Sequence, residues 1–159
     1  MVGASNMFGA QGAARIHRKL SDSLYVEAML LADEARAYFD EIGREERDGL
    51  EALNRVAFSC ESLKVTTRLM HIIAWLLTQR AVDSGELAAR DALSPSRRLG
   101  NAPETDAAVL AAMPAQCATI ILTSIDLYRR VARLDDALDE PVQGTSPARS
   151  MMDRLALAF

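Results

Sequence analysis

Two histidines and two cysteines are the residues from which phosphotransfer, metal or nucleophilic chemistry would be built, and their placement disfavours all three. His17 lies in a stretch rich in Gly, Ala, Ser and basic residues. His71 sits in a long apolar-periodic segment and is followed by Ile72, Ile73 and Ala74. A phosphoaccepting imidazole must be exposed, usually beside a lysine on the same face. His71 reads instead as a partly buried histidine making one hydrogen bond. Cys60 precedes His71 by eleven residues on the same segment, so on a continuous helix the two point in different directions. That separation excludes a Cys–His nucleophile pair. Cys60 and Cys117 both fall on apolar positions of helical patterns, which predicts two buried thiols in a reducing cytoplasm. None of the ten glutamates has a histidine three residues on, the pair that a di-iron helical bundle requires. No zinc-type Cys/His cluster, Gly-rich phosphate loop or Gly-x-Ser-x-Gly elbow is present. The expectation is a protein that is not an enzyme and holds no cofactor.

The charged residues then read as recognition or solvation elements. Glu61, Lys64 and Arg68 are spaced three and four apart, which places them on one edge of a helix. That edge is either solvated or a docking strip facing acidic residues of the preceding helix. Tyr128, Arg129, Arg130 and Arg133 form a basic, aromatic corner, and Tyr and Arg are frequent anchors of protein interfaces. Glu27, Glu34 and Glu41 lie seven apart and can pair with Arg or Lys of a neighbouring helix. The formal net charge of −4 argues against a general nucleic-acid binder, which needs a basic surface to neutralise phosphates. Residues 1–20 lack the apolar run of a signal peptide, and no segment approaches the roughly 20 apolar residues of a membrane span.

The elements that must position these residues are helices. At 159 residues, half of them hydrophobic, the chain can bury one core. The spacing predicts a first helix over about 22–42, with Leu24, Ala28, Leu31, Ala35, Tyr38 and Ile42 inward and Gly43 as its stop. Residues 43–49 read as a polar loop, short enough for antiparallel neighbours. A central helix is predicted over 50–84, roughly 50 Å long. One stripe on it, Leu53, Val56, Cys60, Leu63, Thr67, Met70, Ala74, Leu77 and Ala81, is expected to hold the other two helices. A second, Val65, Leu69, Ile72 and Leu76, is expected to be covered by a second protomer or by the tail. A third helix is predicted over 114–138, with Cys117, Ile120, Ser124, Leu127, Val131, Leu134 and Leu138 inward. Thr67 and Ser124 interrupt these stripes and either meet each other or bond back to their own helices. Residues 1–20 read as a flexible arm, 21–138 as the domain, and 139–159 as a flexible tail with an apolar end at Met151, Met152, Leu155, Leu157 and Phe159.

The run Glu61-Ser-Leu-Lys-Val-Thr-Thr-Arg-Leu-Met70, with Ala74-Trp-Leu-Leu-Thr-Gln-Arg-Ala-Val82 and Gly85-Glu86, resembles the RcdA family, the regulators of CtrA degradation, also described as a DUF1465-type domain. Leu127-Tyr-Arg-Arg-Val-Ala-Arg-Leu-Asp135 is a second match. The resemblance spans roughly Leu24 to Asp136. It implies an all-α, antiparallel three-helix bundle that forms a homodimer. It further implies a cytoplasmic adaptor, recruited to the cell pole, that helps a ClpXP protease primed by a response regulator recognise cell-cycle regulators as degradation substrates. The alternatives are a histidine phosphotransfer domain using His71 and a structural helical dimer of other function.

Overall fold

The computed structural model describes residues 3–139 and 147–158, all helix or connection, with no strand among them. The first helix, α1 (Gly3–Ala37), starts well before the predicted boundary. Residues 9–20 are almost wholly exposed yet helical, where a flexible arm was expected. The stretch has no proline and is rich in Ala, Gln, Arg, Lys and Leu, so it extends a helix that is nucleated where α1 packs. Within the packed part Leu24, Ala28, Leu31, Ala35 and Tyr38 are buried, as their spacing predicts.

The register then changes. Tyr38–Ile42 forms a π turn that runs directly into α2 (Gly43–Asp48), so the helical path continues through the segment read as a polar loop. A π turn carries one extra residue. Gly43 therefore takes the inward position expected of Ile42, which is exposed. A Cβ on Gly43 would lie 2.8 Å from the Tyr38 carbonyl oxygen and 3.2 Å from the Phe58 ring. The close approach, rather than a helix stop, is what requires glycine here. The chain turns at Gly49–Glu51 into α3 (Ala52–Asp83), which ends at Gly85 with φ +79°. That left-handed conformation suits glycine and closes the helix.

Two short 3-10 turns (Asp91–Leu93, Pro95–Arg97) and a short helix α4 (Ala107–Ala111) lead to α5 (Ala115–Ala137). Pro114 sits just before α5, where a missing N–H costs little. The three long helices pack pairwise into one bundle. α1 runs antiparallel to α3, since Asp22 pairs with Arg80 and Tyr38 packs on Phe58. It is antiparallel to α5 as well, through Glu27 and Arg130. α3 and α5, however, run parallel: Arg68 bonds Ser124 and Trp75 bonds Asp135. The fold is all-α as expected, but the antiparallel arrangement holds only for α1. A parallel pair needs a crossover, and residues 84–114 are that crossover.

The faces of α3 are the reverse of the expected ones. Phe58, Val65, Leu69, Ile72, Trp75 and Leu76 face α1 and α5 and are buried within one chain, with no second protomer or tail over them. Leu53 (85% exposed), Val56, Leu63 (67%), Met70 and Leu77 face outward, and Cys60 with them. Both stripes have helical spacing, so periodicity alone does not choose between them. The largest side chains, Phe58 and Trp75, lie on the second face, and burying them outweighs burying Ala74 and Ala81. A final helix, α6 (Pro147–Leu157), occupies part of the segment read as a flexible tail; Met151, Met152, Leu155 and Leu157 on it are exposed. The linker expected at 140–146 and the terminal Phe159 lie outside the described residues.

Candidate functional site

The residues marked as a docking strip are largely interior. Glu61 and Arg68 are each 1% exposed. Their face of α3 meets the returning crossover and α5, and the acidic edge of α1 lies elsewhere. Thr105 connects them: its hydroxyl donates to Glu61 Oε2 at 2.6 Å and accepts from Arg68 Nη2 at 2.7 Å. Arg68 also donates twice to the Pro103 carbonyl, at 3.2 and 2.9 Å, and to Ser124 Oγ at 3.2 Å. Lys64 completes the set, 3.0 Å from Glu61 Oε1 and 2.7 Å from the Glu104 carbonyl. Burial lowers the Arg68 pKa, and the nearby Glu61 carboxylate opposes that shift. Buried charges persist only when paired and hydrogen-bonded. These bonds hold the crossover segment 103–105 along the bundle. Ser124 also bonds back to the Ile121 carbonyl at 2.7 Å, and Thr67 to Leu63 at 2.9 Å, so Thr67 and Ser124 do not meet.

A second network fixes the other end of the crossover. Arg98 donates to Asp135 Oδ1 and to the Asp135 carbonyl, both at 2.8 Å, and to both Asp139 oxygens at 2.7 and 2.9 Å. These acceptors raise the Arg98 pKa. Asp135 simultaneously accepts the Trp75 indole N–H at 2.8 Å. The sequence reading did not single out Arg98, Thr105 or Asp135. Only Asp135 carried a signal, as an acid at the inner edge of the α5 stripe.

The basic corner divides. Tyr128 is half-buried, and its hydroxyl donates to the Gly100 carbonyl. Arg130 spans to α1, where it pairs with Glu27, and lies 3.0 Å from Asp126. Glu27 thus does pair with a neighbouring helix, while Glu34 and Glu41 are exposed. Arg129 and Arg133 are exposed as well. Arg129 borders an open cleft of about 330 Å³ between the crossover and α5, with Arg68 and Thr105 in its wall.

His71 is half-buried, as expected, and its Nδ1 has neither solvent contact nor a protein partner. The ring borders a groove of about 700 Å³ beside Met70, Trp75 and Arg97. Cys117 is buried as expected, but Cys60 is exposed because its stripe faces outward. Among the described residues no three His, Cys, Asp or Glu side chains gather as a metal site, and no helix is long and apolar enough to cross a membrane.

The comparisons with known proteins agree with one another. The model of a family described as "Protein of unknown function (DUF1465)" matches residues 12–159. Among solved structures, the chain is similar to RcdA from Caulobacter crescentus CB15, with 33% identity and a TM-score of 0.62. The match covers 75% of this chain and 90% of that one. No curated protein matches the sequence.

Proposed function

The chain belongs to the DUF1465 family, to which its likeness to RcdA also points, and we propose that it is a non-enzymatic adaptor of regulated proteolysis. In this reading it works in the cytoplasm as a homodimer, with recruitment to the cell pole. It brings cell-cycle regulators to a ClpXP protease that a response regulator has primed. The likeness to RcdA over most of both chains carries the reading. The distribution of polar groups supports it: Glu61, Arg68, Arg98 and Asp135 are spent on holding the crossover, and the outer faces of α3 and α5 remain for partners.

The test is a reconstituted degradation assay with ClpXP, the primed response regulator and a candidate cell-cycle regulator. Adding this protein should accelerate cargo loss several-fold with no turnover of its own. Cargo lost equally fast without it would defeat the adaptor reading.

A further inference from the structure

The groove beside His71 carries polar groups that the bundle does not use. It lies between α3 and the crossover and has a volume of about 700 Å³. That is inside the range of small-molecule sites, about 300–1,000 Å³. Met70 and Trp75 of α3 and Leu99 of the crossover give it apolar walls, and no acidic residue lines it. Arg98 lines it too, but its guanidinium is held by Asp135 and Asp139. Arg97 differs. It is exposed and makes no ion pair among the described residues, with Asp91 of the adjoining groove included. His71 adds an independent observation. Its Nδ1 is enclosed with no partner, and its Nε2 is not enclosed in this way. An enclosed N–H without an acceptor is a rarer defect than an enclosed bare acceptor. The ring therefore keeps its proton on Nε2 and meets the groove uncharged, as an N–H donor.

We propose that this groove binds a small organic monocarboxylate carried on an aromatic or branched apolar body. Arg97 pairs with the carboxylate, His71 donates to it through Nε2, and the body lies on Met70, Trp75 and Leu99. Charge decides between carboxylate and phosphate. One unpaired guanidinium balances one negative charge, and a carboxylate matches its fork with two parallel N–H···O bonds. A phosphate monoester brings a charge of about −1.5 to −2 at neutral pH. The excess would lie unbalanced beside the apolar walls, which is costly. The two carboxylates closest to the site in function, those of Asp135 and Asp139, do not compete for Arg97, because Arg98 already occupies them. The proposal concerns a small ligand and does not rest on the adaptor reading. A bound acid would tie α3 to residues 96–99, next to the place where Arg98 fastens the crossover.

Trp75 is the single tryptophan of the chain and stands in the groove wall, so its fluorescence reports binding directly. The full chain is titrated at constant ionic strength with 3-phenylpropionate, its uncharged amide, and phenyl phosphate. 3-Phenylpropionate should shift the emission saturably, and the amide should bind about 10-fold or more weakly. Arg97→Gln should weaken the acid by about 10-fold or more, with helical circular dichroism unchanged. His71→Phe should weaken it by about 5- to 10-fold, and His71→Gln, which restores an N–H donor, should recover most of that loss. Arg129→Gln, outside the groove, should leave the affinity as it is. N-acetylphenylalanine separates the sources: tighter binding than 3-phenylpropionate assigns the carboxylate to the end of a partner chain, and weaker binding assigns it to a free acid. No saturable change, equal binding of acid and amide, tighter binding of phenyl phosphate, or full affinity in Arg97→Gln would each overturn the proposal. With only two histidines in the chain, a long-range proton–nitrogen spectrum resolves the tautomer of His71. A proton found on Nδ1 would overturn its role as donor.

Discussion

Cys117 has no solvent contact and packs among Tyr38, Glu61 and the α5 core. Burial, with the Glu61 carboxylate adding to it, pushes its thiol up to about 12. Tyr38 is shifted the same way, by burial first and then by its hydrogen bond to Glu46. Both groups are neutral in the folded state and ionise more readily in the unfolded chain, so folding binds protons at alkaline pH. Their stabilising contribution is complete well below the unfolded thiol's pKa of about 8.5, and falls as the pH rises through that value toward 12. The expected loss is about 1.4 kcal/mol per pH unit for each group once its unfolded form is ionised. Urea unfolding at pH 8 and pH 10.5 measures it. Cys117→Ala should be less stable at pH 8 and show a shallower decline. An equal decline would remove Cys117 from the account. At pH 8 iodoacetamide should alkylate Cys60 in the native protein and spare Cys117. The sequence placed Cys117 correctly and Cys60 wrongly for one reason: a thiol on a helical stripe is only as buried as the stripe.

At the scale of elements, what was legible followed from unbroken periodicity. The inward faces of α1 to Tyr38 and of α5 to Val131 were read correctly because each has a single apolar stripe. The π turn left no such mark. Its consequence is that Gly43, not Ile42, enters the core, against Tyr38 and Phe58. The aromatic cluster of Tyr38, Phe39 and Phe58, with centroids 5.1 to 6.2 Å apart, closes that end of the bundle. A methyl group on Gly43 would have to displace backbone. Gly43→Ala should therefore destabilise by about 1–3 kcal/mol despite alanine's higher helix propensity. Gly12 on α1 is the control, since a Cβ there meets nothing within 4 Å. Gly12→Ala should be neutral or stabilising by up to about 1 kcal/mol. The denaturant midpoint should fall for Gly43→Ala and hold or rise for Gly12→Ala, and a fall in both would contradict the packing argument.

Across the whole molecule, the parallel run of α3 and α5 was the least legible feature, because it depends on contacts between residues 56 to 60 positions apart in sequence. Glu61 and Arg68 read as a solvated or docking edge of α3; they are buried because the crossover supplies partners that periodicity does not reveal. The crossover is fastened at two places of unlike energetics. Arg98 is partly exposed and grips Asp135 and Asp139 at the end of α5. Arg98→Ala should release the crossover there while Asp135 keeps the Trp75 indole. Amide exchange should quicken by about 10-fold or more over residues 94–106, with α1, α3 and α5 still protected. Arg68 is fully desolvated, and removing it leaves the buried Glu61 to Lys64 and Thr105 alone. Arg68→Met keeps the volume but not the charge, and should cost about 3–5 kcal/mol of global stability. Exchange in Arg68→Met should therefore rise across all three long helices together. Loosening confined to the crossover in that variant, or global loosening in Arg98→Ala, would show that the two fastenings do not divide the work as their burial requires.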